Sequence, residues 1–503
     1  MKNIVSMKKD RQLKRLLIHS YLIRSQTLKN KLLFSIIIPT YNSEEKIRRT
    51  VDSVLNQSLE KQFFEVIIID DHSSDQTFSI CNEYSRKFSN VHAFQLKKNS
   101  GGASAPRNFG LFKAKGQFVY FLDSDDWIAE NILSYIYHHP KLLKSDVIVG
   151  KSIKVNEKAK TEYAKFMSIK NRLLKPLTEI PYFLYYLGPT SKFLNRKLLI
   201  KHHIRFPEEI SFGEDKLFFA ELYSHVKNVS TITKECGFID RTATNDSIVR
   251  RTSFLKKRKS DELLFDQVKR LSNLTLKKQL IIRIIEQDLL SNCNSETFLK
   301  LSQHDKQQVF NLNCKLISDP DTQLVLNQID EKYSDAIDAL QNDNFDKYCE
   351  FFMWLKKDNK VAYFKNGEYY LTNQKNTFSL PFVSSHAMII DILKDYLLLQ
   401  IKLNHVKRDE IAGLLIESRT SFEQSILLKE VTCSGDLMTC YVSLQLFNQL
   451  PAGFYNFKVQ YKEYKNIAVR FGYQKNFVLN DKKAMIYPSI AGNLSMKIEL
   501  ENN

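Results

Sequence analysis

Residues 118–130 read FVYFLDSDDWIAE, five apolar or aromatic residues followed by three carboxylates within four positions. Asp123, Asp125 and Asp126 repel one another, and each raises the others' pKa unless a cation or a hydrogen-bond donor intervenes. Two chemistries fit so short a pattern: a solvated acidic turn, or a divalent-metal site at the carboxyl end of a strand. A second acidic group lies in FGEDKLFF (212–219), where Glu214 and Asp215 follow Gly213 at the start of an expected helix. Acids there cap a helix N-terminus or do proton chemistry, and one residue can serve both purposes.

The elements that must position these acids follow a repeating pattern from Phe34 onward. FSIIIPTYN, EVIIIDDHSSD, VHAFQLK and QFVYFLDSDD are short apolar runs ending in polar turns. EEKIRRTVDSVLNQSL and DQTFSICNEYSRKF, between the first three of them, have helical periodicity. Strands alternating with helices imply βαβ units and a mostly parallel sheet covered on both faces. Ligands of such sheets bind beyond the carboxyl ends of the strands, which here carry PTYN, DDHSSD and DSDD. The stretch 255–357, with KKQLIIRIIEQDLLSN and YSDAIDALQNDNFDKYCEFFMWLKK, reads as a helical linker region. From 358 to 503, runs such as VAYFKNGEYYL, GFYNFKVQYKEY and LSMKIEL alternate apolar with polar residues, as in an antiparallel β-sandwich.

PTYN, DDHSSDQT, NSGGASAPRN (99–108) and DSDD, in that order within one α/β region, resemble the family 2 inverting glycosyltransferases with the GT-A fold. The resemblance covers about residues 34–250, within a transferase domain expected at 34–254. Together with GPTSKFLNRKLL (188–199), FPEEISFGEDKLFF (206–219) and the β-sandwich tail, it is most similar to the wall teichoic acid β-N-acetylglucosaminyltransferases. The tail would then be immunoglobulin-like. The resemblance implies a role for each motif residue. Asp71 would accept from the uracil N3–H, a task suited to an acceptor-only carboxylate. Pro39 and Tyr41 would wall the base, although an aromatic there is also ordinary core material. Asn99 and Arg107 would contact base and ribose. Asp123 would hold the ribose, Asp125 a Mn2+ or Mg2+ ion, and Asp126 would face the transferred sugar. Asp215 would be the general base and Glu214 would hold donor or acceptor. Relatives commonly place a His after the base to complete metal binding. IDRTATNDSIVRRT (239–252) has none, and Asp246 is the nearest oxygen ligand.

Composition narrows the partners. A net charge of +18 and a pI of 9.3 favour an anionic partner. No nucleic-acid motif accompanies the charge, so a phosphate-rich polymer such as poly(ribitol phosphate) is preferred. A capsular polysaccharide or a surface glycoprotein remains an alternative acceptor. So does, from another class, a polyanion-binding protein with a degenerate transferase domain. The basic stretch 1–33 forms either a helix packed on the next domain or one lying on an anionic leaflet. Seven dispersed cysteines without a C-x-x-C pair, and no apolar run near the roughly 20 residues that span a bilayer, point to a cytoplasmic protein, peripheral at most to the membrane's inner face. By analogy with the teichoic acid enzymes, the C-terminal domain is expected to form a homo-oligomer.

Overall fold

The computed structural model describes residues 32–242 and 252–500 apart from 374, 376, 421–423, 473 and 479–481. Asp246 and nearly all of the basic preface lie outside the described residues. The N-terminal domain runs β1 (Phe34–Thr40), α1 (Ile47–Leu55), β2 (Phe64–Asp70), α2 (Thr77–Lys87), β3 (Val91–Gln95), α3 (Ser104–Lys113) and β4 (Phe118–Phe121). It continues with β5 (Trp127–Ile128), β6 (Val147–Val155), β7 (Lys192–Asn195), α4 (Glu214–His225) and β8 (Val229–Asp240). These strands form one sheet in the order β3-β2-β1-β4-β7-β6-β8-β5, with Lys160–Tyr163 and Arg172–Lys175 added beside β6 and β8.

Every residue of β1 and β2 is buried, which is why FSIIIPT and FEVIIID are continuous rather than alternating apolar runs. Of their two acids, Asp70 closes β2 at its carboxyl end, and Glu65 accepts from Ser35 Oγ (2.6 Å) and from the Lys115 amide (2.7 Å). Thr40 lies opposite Asp70 in the parallel register, so the loops after β1 and β2 emerge level at one rim. β4 pairs with β1 as far as Phe121 and delivers DSDD to that same rim. Beyond β4 the sheet is mixed, because β7 runs antiparallel to both β4 and β6. Parallel neighbours need long crossovers, and the expectation of a mostly parallel sheet describes the half built from βαβ units.

Helix α3 presses on β1 through Gly110, where an added Cβ would meet Ile37 Cγ2 at 2.3 Å. Gly110→Ala should therefore destabilise the protein by about 1–3 kcal/mol through overpacking. Helix propensity alone favours Ala by about 1 kcal/mol, so a lowered urea midpoint would report the contact and a raised one would refute it.

The helical region, including α5 (Phe254–Lys269), α6 (Leu274–Arg283), α7 (Gln303–Ile317), α8 (Ser334–Gln341) and α9 (Phe345–Lys356), is packed rather than strung between domains. One buried cluster runs from Ile37 and Phe121 through Phe218 to Leu264, Ile281, Phe352 and Trp354. VAYFKNGEYYL forms a hairpin, as its alternation predicts, but in a separate three-stranded sheet with Ser379–Pro381. That sheet sends Phe378 and Leu380 into the helical core. The remaining C-terminal strands enclose their own core and pair antiparallel, save for a short parallel contact of Ser385 with Val469 and His386 with Arg470. A turn of this sheet-rich domain docks on the N-terminal domain: Glu463 accepts from Arg172 (2.6 Å), and the Tyr464 ring lies 4.7 Å from that of Tyr182. All seven cysteines are unbridged. No helix among the described residues is long and apolar enough to cross a membrane.

Candidate active site

The loop after β2 is braced around Asp71. This carboxylate is 3% exposed and accepts from the Ser100 amide and Ser100 Oγ, both at 2.9 Å. Asn99 Nδ2 donates to the Asp71 carbonyl (3.0 Å) and Asn99 Oδ1 accepts from the Gly101 amide (2.8 Å). Gly101 has φ +82°, a conformation that glycine adopts without a Cβ penalty. Asp70, by contrast, closes its own turn by accepting from the Ser73 amide (2.9 Å) and from Gln95 (3.0 Å). Pro39 is buried at the end of β1, while Tyr41 beyond it is 50% exposed and so is not core material.

The acids at the ends of β4 and at the start of α4, 91 residues apart between Asp123 and Glu214 in the chain, meet on one buried guanidinium. Arg107, on α3 and 4% exposed, donates to Asp123 (2.9 Å), Glu214 (3.1 Å) and Asp215 (3.0 Å). It therefore faces the carboxylates, among them Asp123, the residue expected to hold the ribose. Burial alone would push its pKa down. The three carboxylates, Asp215 foremost, overcome that and hold it above the ordinary arginine range. For Asp215 the balance runs the other way. Burial raises it to about 7 against the pull of Arg107, with Glu214 and Asp123 adding to the rise. Gly213 permits this placement, for its φ is +85° and a Cβ there would meet Ser260 Oγ of α5 at 2.7 Å.

Two consecutive residues of α1, unremarked in the sequence, hold the DSDD backbone. Arg49 donates to the Asp125 carbonyl (2.6 Å) and to Asp240 at the end of β8 (2.7 Å), and its guanidinium lies 4.3 Å from the Trp127 ring centre. Thr50 Oγ1 donates to the carbonyls of Ser124 (2.8 Å) and Asp126 (2.7 Å). Burial works against the Asp240 carboxylate, yet the bonds from Arg49 and Thr242 bring its pKa down to about 2. Asp126 is 6% exposed and accepts from the Asp240 amide (3.0 Å), so it faces inward toward β8. Burial, then Asp125 and Asp123, push it well above the carboxylate range. Lys192 is another residue that the sequence did not single out. It is wholly buried, donates from Nζ to the Gly188 carbonyl, and sits 4.1 Å from the Tyr186 ring centre. Burial holds its amine well below the lysine range while Asp215 pulls it up.

Among the described residues, no group of three or more His, Cys, Asp or Glu side chains is arranged to hold a metal by itself. Arg107 and the Asp240 amide already hold Asp123 and Asp126; the hard carboxylate oxygens of the DSDD turn suit a divalent cation that would draw its other ligands from a bound diphosphate.

Residues 35–202 match the model of glycosyl transferase family 2. The chain is 38% identical over 201 residues to the poly(ribitol-phosphate) β-N-acetylglucosaminyltransferase TarP of Staphylococcus aureus, a match covering 40% of this chain and 60% of that one. It is 36% identical over 196 residues to a poly(ribitol-phosphate) β-glucosyltransferase of Bacillus spizizenii, covering 39% of this chain and 30% of the relative. The matches thus span about a third to three fifths of these curated relatives. The crystal structure of S. aureus TarS superposes on 93% of this chain and 86% of its own with a TM-score of 0.57 at 21% identity, a likeness of fold from the transferase domain through the helices to the sheet-rich C-terminal domain. TarS 1-349 in complex with UDP-GlcNAc covers 68% of this chain and 98% of its own, with a TM-score of 0.56 and 25% identity.

Proposed function

With a domain of glycosyl transferase family 2 at residues 35–202 as the premise, we propose that the chain transfers a sugar, N-acetylglucosamine by preference, from a UDP-sugar to a hydroxyl of poly(ribitol phosphate) with inversion. The observation that carries this is the convergence of Asp123, Glu214 and Asp215 on buried Arg107, which sets an acid of the β4 rim beside a carboxylate whose pKa of about 7 suits a general base. Asp71 and Asn99 bind the uracil end, with Tyr41 offering its exposed ring as a wall. Asp123 reaches the ribose, and Glu214 holds the sugar in line. Asp215 accepts the proton of the acceptor hydroxyl. That oxygen bonds to the anomeric carbon from the face opposite the diphosphate, and the breaking C–O bond leaves its electron pair on the phosphate oxygen. A Mn2+ or Mg2+ ion held by Asp125 would stabilise the charge on the departing diphosphate. The net charge of +18 matches a polyanionic acceptor. Oligomerisation through the C-terminal domain belongs to the same proposal, with Met388 (60% exposed), Tyr396 (48%) and Tyr441 (58%) as apolar surface for it.

Purified protein given UDP-GlcNAc or UDP-glucose and poly(ribitol phosphate) should release UDP only when both substrates are present. EDTA should abolish the release and added Mn2+ or Mg2+ restore it. UDP release independent of the polymer would refute the acceptor, and activity indifferent to EDTA would refute the metal.

A further inference from the structure

A second site lies away from the strand-end rim, where the first turn of α7, the last turns of α9 and Asn373, Lys375, Thr377 and Phe378 beside the three-stranded sheet line an open cavity of about 730 Å3. That volume falls within the range that takes ligands of several sugar-sized units. Its charged lining is Lys306, Lys357 and Lys375 against Glu350 and Asp358. Lys357 is spent in part on Glu296 (3.4 Å), an exposed pair of little strength. The other wall is Trp354, 1% exposed, whose indole N–H is buried with no acceptor among the described residues. Asn373 also lines the cavity. Its Oδ1 is taken by the Thr377 amide (2.7 Å), which leaves its NH2 as a donor.

We propose that this cavity binds a segment of the phosphate-linked polyol acceptor, an inference that rests on the acceptor reading above. Lysines take phosphates as point charges without demanding a fixed geometry. The Asn373 amide supplies a donor for hydroxyl and ester oxygens, and the Trp354 ring, buried behind the lining, senses what fills the groove. A chain already held here has its other hydroxyls at raised local concentration for the catalytic rim, which is how a second weak contact strengthens the first. Long acceptors should therefore gain from the cavity and short ones should not.

The chain's two tryptophans, Trp127 and Trp354, allow a direct test. In full-length Trp127→Phe protein the emission reports Trp354 alone. Titration with purified poly(ribitol phosphate), without donor, should change that emission saturably. Lys306→Glu with Lys357→Glu in the same background should raise the apparent Kd by about tenfold at low ionic strength. With Trp127 restored, the charge-reversed protein should keep its kcat/KM on a short ribitol phosphate acceptor and lose the advantage of the long one. No emission change, a change untouched by charge reversal, or an equal change with inorganic phosphate at matched concentration would overturn the proposal. Because the titration contains no donor, it is read separately from the transfer assay: polymer bound here without transfer refutes the acceptor reading alone.

Discussion

Asp215→Asn should retain UDP-sugar binding within about twofold and lose transfer by about 10^2–10^4, the range that a positioned general base supplies. The substitution keeps the shape and removes the proton acceptor, so the loss should fall on kcat. The pH profile of the wild-type protein carries the same information. With the Asp215 pKa raised to about 7 by burial, the carboxyl form dominates below that value and cannot accept a proton. The rate constant kcat/KM should then fall about tenfold per pH unit below 7 and level off above it. The sign is that of a base, activity gained as the proton leaves. Isothermal titration with UDP and initial rates across pH 5–9 separate binding from chemistry. A variant that transfers sugar normally, or a profile flat through 7, would remove Asp215 from the role.

What could be seen in the sequence of this site, and what could not, divides along the chain's own geometry. Strand-end motifs were legible because neighbouring parallel strands end together, as the level register of Thr40 with Asp70 illustrates. Knowing that PTYN, DDHSSD and DSDD follow strands is enough to put them on one rim. Residues that reach the rim sideways carry no such signal. Arg49 sits in a helix whose other arginine, Arg48, pairs with Glu83 on the surface, and nothing in EEKIRRT tells the two apart. Motif position suggests a nucleotide contact for Arg107 but not its bonds to Glu214 and Asp215, which lie more than a hundred residues further along the chain. Lys192 follows Ser191 in a polar stretch, yet it is wholly buried. Burial of a polar residue follows from tertiary packing, which periodicity does not encode.

The same limit governs the larger architecture. Alternation in VAYFKNGEYYL identifies strands but not the sheet they join, and the hairpin belongs with the helices through Phe378 and Leu380. The helical stretch after residue 254 reads as a linker because its composition is charged. Its charges are partly internal, however: Lys216 of α4 donates to Asp261 (2.6 Å) and Asp288 (2.7 Å), both buried. That contact begins one residue after Asp215, so the helices brace the turn that carries the proposed base. A charged helix can thus be core when its buried acids meet a cation from the neighbouring helix.

Arg107→Met should lower kcat/KM at pH 7 by about a hundredfold or more, and the reason lies in what the three acids do without it. Removing one partner of a buried ion pair ordinarily costs about 3–5 kcal/mol, because a charge is left without compensation. Here Asp215 has another way out. Its pKa is raised already, and Arg107 is the strongest influence holding it down. With the guanidinium gone, Asp215 takes up a proton and stays neutral, which spares stability at the expense of the base. The melting temperature should therefore fall less than a lost buried pair would suggest. The acidic limb of the pH profile should move upward, and activity should return in part at higher pH. Arg107→Lys should restore little, since a single ammonium cannot reproduce a planar fork that donates to Asp123, Glu214 and Asp215 together. A profile that keeps its limb near 7 in Arg107→Met would show that Arg107 does not set the proton affinity of Asp215, and its contact with the acids would then be structural only.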